Sequence, residues 1–193
     1  MSQKSIVENL PVYNNVLLIS GTGRNVGKTT LAVQLIEHFR AYNIIGVKIS
    51  PHFHPFDEDK EKIIYKTGDI IIFEEHSAIR SKDSGRMLRA GAKRVFFIMA
   101  KDAHLAKAFA VMMELLTEQQ PLIIESAALR NYIHPGVFVL LDVQNTTVNH
   151  PQKNAHLRPL ADFVSDDFTH AANYLKKHLN IDPSSGFSIE AEY

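Results

Sequence analysis

The chain has 193 residues, no cysteine, and 21 Lys plus Arg against 21 Asp plus Glu. That length suits one domain, at roughly 100–200 residues each, and the 45% hydrophobic share belongs to a globular chain rather than a disordered one. The balanced charge speaks against non-specific attraction to nucleic acid or an anionic membrane, and the missing cysteines exclude disulfides, thiolate metal sites and thiol nucleophiles.

The start of the chain, residues 1–15, has no basic segment followed by a long apolar run, so no secretory signal is expected. No apolar run approaches the about 18 residues of a membrane helix, and the expectation is a soluble, cytoplasmic protein. Val16-Leu17-Leu18-Ile19, stopping at Ser20-Gly21, suits a buried parallel strand. Residues 28–40 read as a helix, with Leu31, Leu35, Ile36 and Phe39 on one apolar stripe. A second strand is expected over 44–49, completing a strand, glycine-rich turn, helix, strand unit.

Pro51 and Pro55 forbid a regular helix over 50–60, which carries His52, His54, Asp57 and Asp59. Ile63-Ile64-Tyr65 and Ile70-Ile71-Ile72-Phe73 read as a hairpin around the polar turn 66–69, within an insertion over 61–81. A short helix capped by Asp83 or Ser84 reaches Ala90 and stops at Gly91. Strands are expected over 95–99, 122–125 and 137–142, with a helix over 102–117 in which Met112, Met113, Leu115 and Leu116 serve the core. Residues 145–159 read as a surface loop, 167–179 as a last helix and 182–193 as a tail. Strands alternating with helices predict one α/β domain, about 16–180 its core, around a mostly parallel sheet covered on both faces.

The strongest chemical signal is Gly21-Thr22-Gly23-Arg24-Asn25-Val26-Gly27-Lys28-Thr29-Thr30. Glycines let backbone N–H groups wrap closely around a phosphate chain, and the helix start that follows favours anions. Lys28 then supplies a charge to the β and γ phosphates, and the Thr29 hydroxyl is placed to ligate Mg²⁺. Glu125 ends a strand at the edge where open α/β sheets bind ligands, and is read as a metal ligand or water-orienting group. Asp57 and Asp59 are either further Mg²⁺ ligands or solvated side chains. Asn145 and the 162–167 stretch fall where a base-contacting loop could lie, although no Asn-Lys-x-Asp guanine signature occurs.

Five residues separate Gly21 from Gly27, and the pattern Gly-Thr-x-x-x-Val-Gly-Lys-Thr resembles the loop of dethiobiotin synthetase, an ATP-dependent ligase among the P-loop NTPases. Lys48 with His52, His54, Asp57 and Asp59, then Lys82-Asp83-Ser84-Gly85-Arg86-Met87-Leu88-Arg89-Ala90-Gly91-Ala92, and then Ile123-Ile124-Glu125, resemble the molybdopterin-guanine dinucleotide biosynthesis protein B family. The resemblance runs over residues 16–125. It implies a P-loop NTPase-type three-layer fold with a small hairpin insertion, and an accessory GTPase of molybdenum-cofactor maturation. The reaction expected is Mg²⁺-dependent binding and slow hydrolysis of GTP or ATP, with Lys28 and Glu125 as the catalytic residues.

Lys82, Arg86 and Arg89, spaced as neighbours on one helix face, together with Lys48 and His52, read either as a site for a second anionic ligand, such as a phosphorylated pterin, or as a solvated basic face. Two alternatives stand beside the GTPase: a ligase in which Lys48 holds a carboxylated amine, and a non-catalytic nucleotide switch that orders the His/Asp loop for a protein partner. A homodimer is compatible with either.

Overall fold

A computed structural model describes residues 10–23, 25–56, 62–78, 82–116, 119–143 and 155–190. Ten strands are found among them: β1 (Val12–Gly21), β2 (Ile45–Ser50), β3 (Lys62–Lys66), β4 (Ile70–Glu74), β5 (Arg94–Ala100), β6 (Leu122–Glu125), β7 (His134–Leu141), β8 (Phe163–Ser165), β9 (Leu179–Asp182) and β10 (Gly186–Ile189). Four α-helices accompany them: α1 (Lys28–His38), α2 (Asp83–Arg89), α3 (Leu105–Glu114) and α4 (Phe168–His178).

Eight strands form one sheet in the order β3-β4-β5-β2-β6-β1-β7-β8. The six from β5 to β8 in that order are parallel. The hairpin β3–β4 extends the sheet antiparallel along β5, at the position expected for it.

Alternation along the strands sends side chains to two apolar layers. Val16, Leu18, Val47, Ile124 and Phe138 meet Leu105, Ala108, Phe109 and Met112 of α3 on one face. Leu17, Ile19, Ile123, Val137 and Val139 meet α1, Met87 of α2, and Ala171, Ala172 and Leu175 of α4 on the other. Because both faces are covered, the central strands are apolar at successive positions rather than at alternate ones. Met112 is buried in the first layer, with Met113, Leu115 and Leu116 packed against it, as expected.

Three elements differ from the sequence expectation. The supposed tail carries the β9–β10 hairpin, which seats Leu179 and Phe187 in the second layer. A turn of 3₁₀ helix (Ala155–Leu160) ends the supposed polar loop, and the three-residue β8 follows it at the sheet edge. The 102–117 helix begins as 3₁₀ turn (Asp102–His104) before α3. Among the described residues no helix is long and apolar enough to cross a membrane.

Candidate functional site

The parallel strands end together, and the chain leaves them at one edge of the sheet. β1 passes into the loop 21–27 and then α1; β2 into 51–56; β6 into 126–128. A cleft of about 1250 Å³ lies along this edge. The glycine-rich loop and Lys48, His52, Lys82, Arg86 and Glu125 all line it.

The loop is held by backbone bonds to β7 and α1 and by one lysine side chain. Thr22 N–H donates to Leu141 C=O of β7 at 3.0 Å, and Leu31 N–H to Gly27 C=O at 2.8 Å starts the helix. Gly27 has φ +92°, and a Cβ there would lie 2.6 Å from the Phe168 ring, so both conformation and space call for glycine. Asn25 also has a positive φ, 59°, which asparagine tolerates better than most residues. The Lys28 ammonium donates to Gly23 C=O at 2.6 Å, folding its side chain back over the loop. Burial pushes the Lys28 ammonium below its ordinary value of 10.5, the Lys48 charge lowers it further, and Glu125 and Asp83 oppose the shift.

Glu125 is the best-buried carboxylate of the cleft, only 3% exposed. It ends β6, the strand between β2 and β1, in register with Lys48 on one side and Ile19 on the other. Its Oε2 accepts from the Thr29 hydroxyl at 2.6 Å and its Oε1 from the Lys48 ammonium at 2.5 Å. The Lys48 ammonium also stands 3.1 Å from Asp83. Arg86 faces Asp83 at 3.7 Å and donates to the Thr30 hydroxyl at 3.3 Å. Residues from α1, β6, β2 and α2 thus close a ring: Thr29, Glu125, Lys48, Asp83, Arg86, Thr30.

Asp83 was read from the sequence only as a cap, yet it carries a charge between Lys48 and Arg86; its place beside Lys82 was the available signal. The structure also adds Glu75. Buried to 2% exposure just past β4, it accepts from the Ser84 hydroxyl at 2.7 Å and from Ser77 N–H at 2.8 Å. That contact ties the first turn of α2, and with it Asp83 and Arg86, to the end of β4.

The expected second cluster is brought together only in part. Arg89 turns away and donates to Ala78 C=O at 2.6 Å, because its place on α2 faces the segment after β4 rather than the cleft. His52 is exposed, and His54 Nε2 lies 3.2 Å from the Ser50 hydroxyl. Arg24, Asp57, Asp59 and Asn145 lie outside the described residues.

Among the described residues no group of three or more His, Cys, Asp or Glu could hold a metal ion. A Mg²⁺ ion needs less from a protein, because one or two carboxylates plus substrate phosphates and water complete its shell. The Thr29 hydroxyl and Glu125 carboxylate, both hard oxygen donors in contact with one another, fit that requirement. Comparison with family models, with curated proteins and with solved structures gave no significant match.

Proposed function

We propose that this protein binds a nucleoside triphosphate, GTP or ATP, with Mg²⁺, and hydrolyses it slowly, as a P-loop protein. One observation carries the reading. The glycine-rich loop joins a central parallel strand to the start of α1, and the Thr29 hydroxyl just inside that helix meets the carboxylate of the adjacent strand, Glu125. Loop N–H groups and the Lys28 ammonium take the phosphate oxygens, where most of the charge in phosphoryl transfer must be stabilised. Thr29 and Glu125 would hold the metal, which when bound would neutralise developing phosphate charge. Lys48 contacts both Glu125 and Asp83, so it would retain Asp83 as a partner where Glu125 held the ion. The resemblance of 82–92 to the molybdenum-cofactor accessory GTPases favours GTP.

Calorimetry with Mg²⁺ and each triphosphate tests this. Lys28→Ala is expected to weaken binding by roughly a hundredfold, as loss of charge-assisted contacts would. Equal affinity of the variant and the parent for both triphosphates overturns the reading. A ligase, in which Lys48 holds a carboxylated amine, would instead show ATP turnover that depends on diaminopelargonic acid.

A further inference from the structure

The cleft is roomy and changes character along its length. Its volume of about 1250 Å³ exceeds the roughly 300–1,000 Å³ of ordinary small-molecule pockets. On the loop side the lining is glycine, lysine and hydroxyl. Beyond Lys48, beside Ser50, His52 and His54, lies an apolar floor of Phe56, Phe73, Phe97 and Met99.

These four belong to a small apolar cluster separate from the two main layers, built from β4, β5 and the segment after β2. Phe56 stacks on Phe73 with ring centres 5.9 Å apart, and Phe73 lies 5.1 Å from Phe97. Phe56 and Phe97 are only half-buried, whereas Phe96, the neighbour of Phe97 on the opposite face, is wholly buried. A phosphate chain has no use for this floor, whereas a ring laid on it would remove apolar surface from water and pair with the aromatic side chains.

The polar end is set by Arg86. Its guanidinium carries five donors, but its contacts are loose: Thr30 at 3.3 Å, and Asp83 at 3.7 Å, beyond hydrogen-bond reach. A carboxylate is the group that such a fork takes in two parallel bonds.

We propose that the aromatic half of the cleft binds a second small molecule, an apolar aromatic carboxylic acid, with its ring on Phe56 and Phe97 and its carboxylate on Arg86. Its position beside the terminal phosphate rests on the nucleotide reading above; the ring site itself does not.

The test uses the full chain with ¹³C-methyl methionine and 1-naphthoate as the probe, the Met99 signal being identified by its loss in Met99→Leu. The ring current of bound naphthoate is expected to move the Met99 methyl, while those of Met112 and Met113, on the far face of the sheet, stay. Arg86→Met is expected to weaken naphthoate about tenfold, the loss of a charged hydrogen-bonding partner, and to leave neutral 1-naphthalenemethanol unaffected. Saturation with Mg²⁺ and a non-hydrolysable triphosphate leaves the Met99 shift in place. A motionless Met99, equal movement of Met112, equal weakening of acid and alcohol, or displacement of naphthoate by the triphosphate overturns the proposal. Thermal stabilisation by the triphosphate alone is recorded on the same sample. Its absence, with naphthoate still bound, refutes the nucleotide reading and leaves the aromatic-acid site standing.

Discussion

The two ends of the parallel sheet satisfy their polar groups in opposite ways. At the cleft end the partners are distant in sequence: Thr29 and Glu125 are 96 residues apart, Lys48 and Glu125 77. At the other end one remote bond, Asn15 Nδ2 to Gln120 C=O 105 residues away, stands beside a network of near neighbours. The Asp182 carboxylate closes the β9–β10 turn by accepting from the N–H and hydroxyl of Ser184 and of Ser185, two and three residues on. Those bonds, led by the Ser184 hydroxyl, hold Asp182 down at about 2.

The backbone at that end is packed for closeness. β1 loses regular register with β7 between Tyr13 and Leu17, and the Asn14 carbonyl there lies against two glycines. A Cβ on Gly136 would stand 2.2 Å from it, and one on Gly186 2.1 Å. Both ends border a cavity, about 760 Å³ here and about 1250 Å³ at the cleft, but only the cleft end gathers Lys28, Lys48, Asp83, Arg86 and Glu125 from four remote segments around its space. The charged groups that ligand chemistry needs converge at the cleft end, while close backbone packing at the other serves stability.

The contrast is sharpest in binding. Lys28→Ala, with its roughly hundredfold loss of triphosphate affinity, is expected to leave the melting temperature close to that of the parent, since it removes a charge already penalised by burial. The same burial sets a pH dependence. A lysine with a lowered value is uncharged at the alkaline side sooner than usual, so triphosphate affinity is expected to fall as pH rises, beginning below the ordinary 10.5. Calorimetry across alkaline pH reads this. An affinity flat up to that value would separate Lys28 from the phosphates.

Gly186→Ala reverses the pattern. Its φ of +91° and the 2.1 Å approach of the Asn14 carbonyl combine backbone strain with overpacking, about 2–5 kcal/mol together. Denaturant unfolding is expected to show that loss while triphosphate affinity in the folded fraction is unchanged. Lost affinity without lost stability would break the division between the ends.

Glu74 tests the edge between these regions. Hydrogen bonds from Arg94, and then Lys62, hold its carboxyl at about 2, well below its ordinary 4.5. A depressed value means stability that is present above the ordinary value and lost as pH falls toward about 2. Glu74→Gln is therefore expected to cost about 2 kcal/mol at pH 7, a difference that shrinks through the window from 4.5 down to about 2. A constant difference across that window would mean the charge is not what matters.

The smallest effect is expected at Asp182. Its substitution by alanine is expected to lower the melting temperature slightly, because Asp182 is exposed. In the parent, carbon-detected titration is expected to find this carboxyl at about 2. An ordinary value there would mean the serine contacts do not persist in solution.

Local signals in the chain were enough for much of this. Apolar runs of β-branched residues announced the central strands, a 3.6-residue stripe announced α1, and the polar turn 66–69 between two apolar runs announced the β3–β4 hairpin, whose place at the sheet edge came only with the strand order. The glycine loop with Lys28 and Thr29 was legible because its chemistry is written in consecutive residues, and Glu125 because it ends an apolar strand. What the sequence left open is what depends on strand order. β6 inserts between β2 and β1, and only that insertion sets Lys48 and Thr29 on either side of Glu125. Asp83 joins the ring, and Arg89 turns out of the expected second cluster, because Glu75 and the underlying sheet fix the rotation of a seven-residue helix whose own pattern is too short to declare a face. The β9–β10 hairpin escaped notice for the same reason: four-residue strands carry little periodicity, and Phe187 becomes a core residue only where α1, α4 and β7 have already made a core to receive it. Composition and short-range pattern decide which elements form; long-range packing decides which side chains meet, because contact energies between remote segments exist only once the sheet has brought them together.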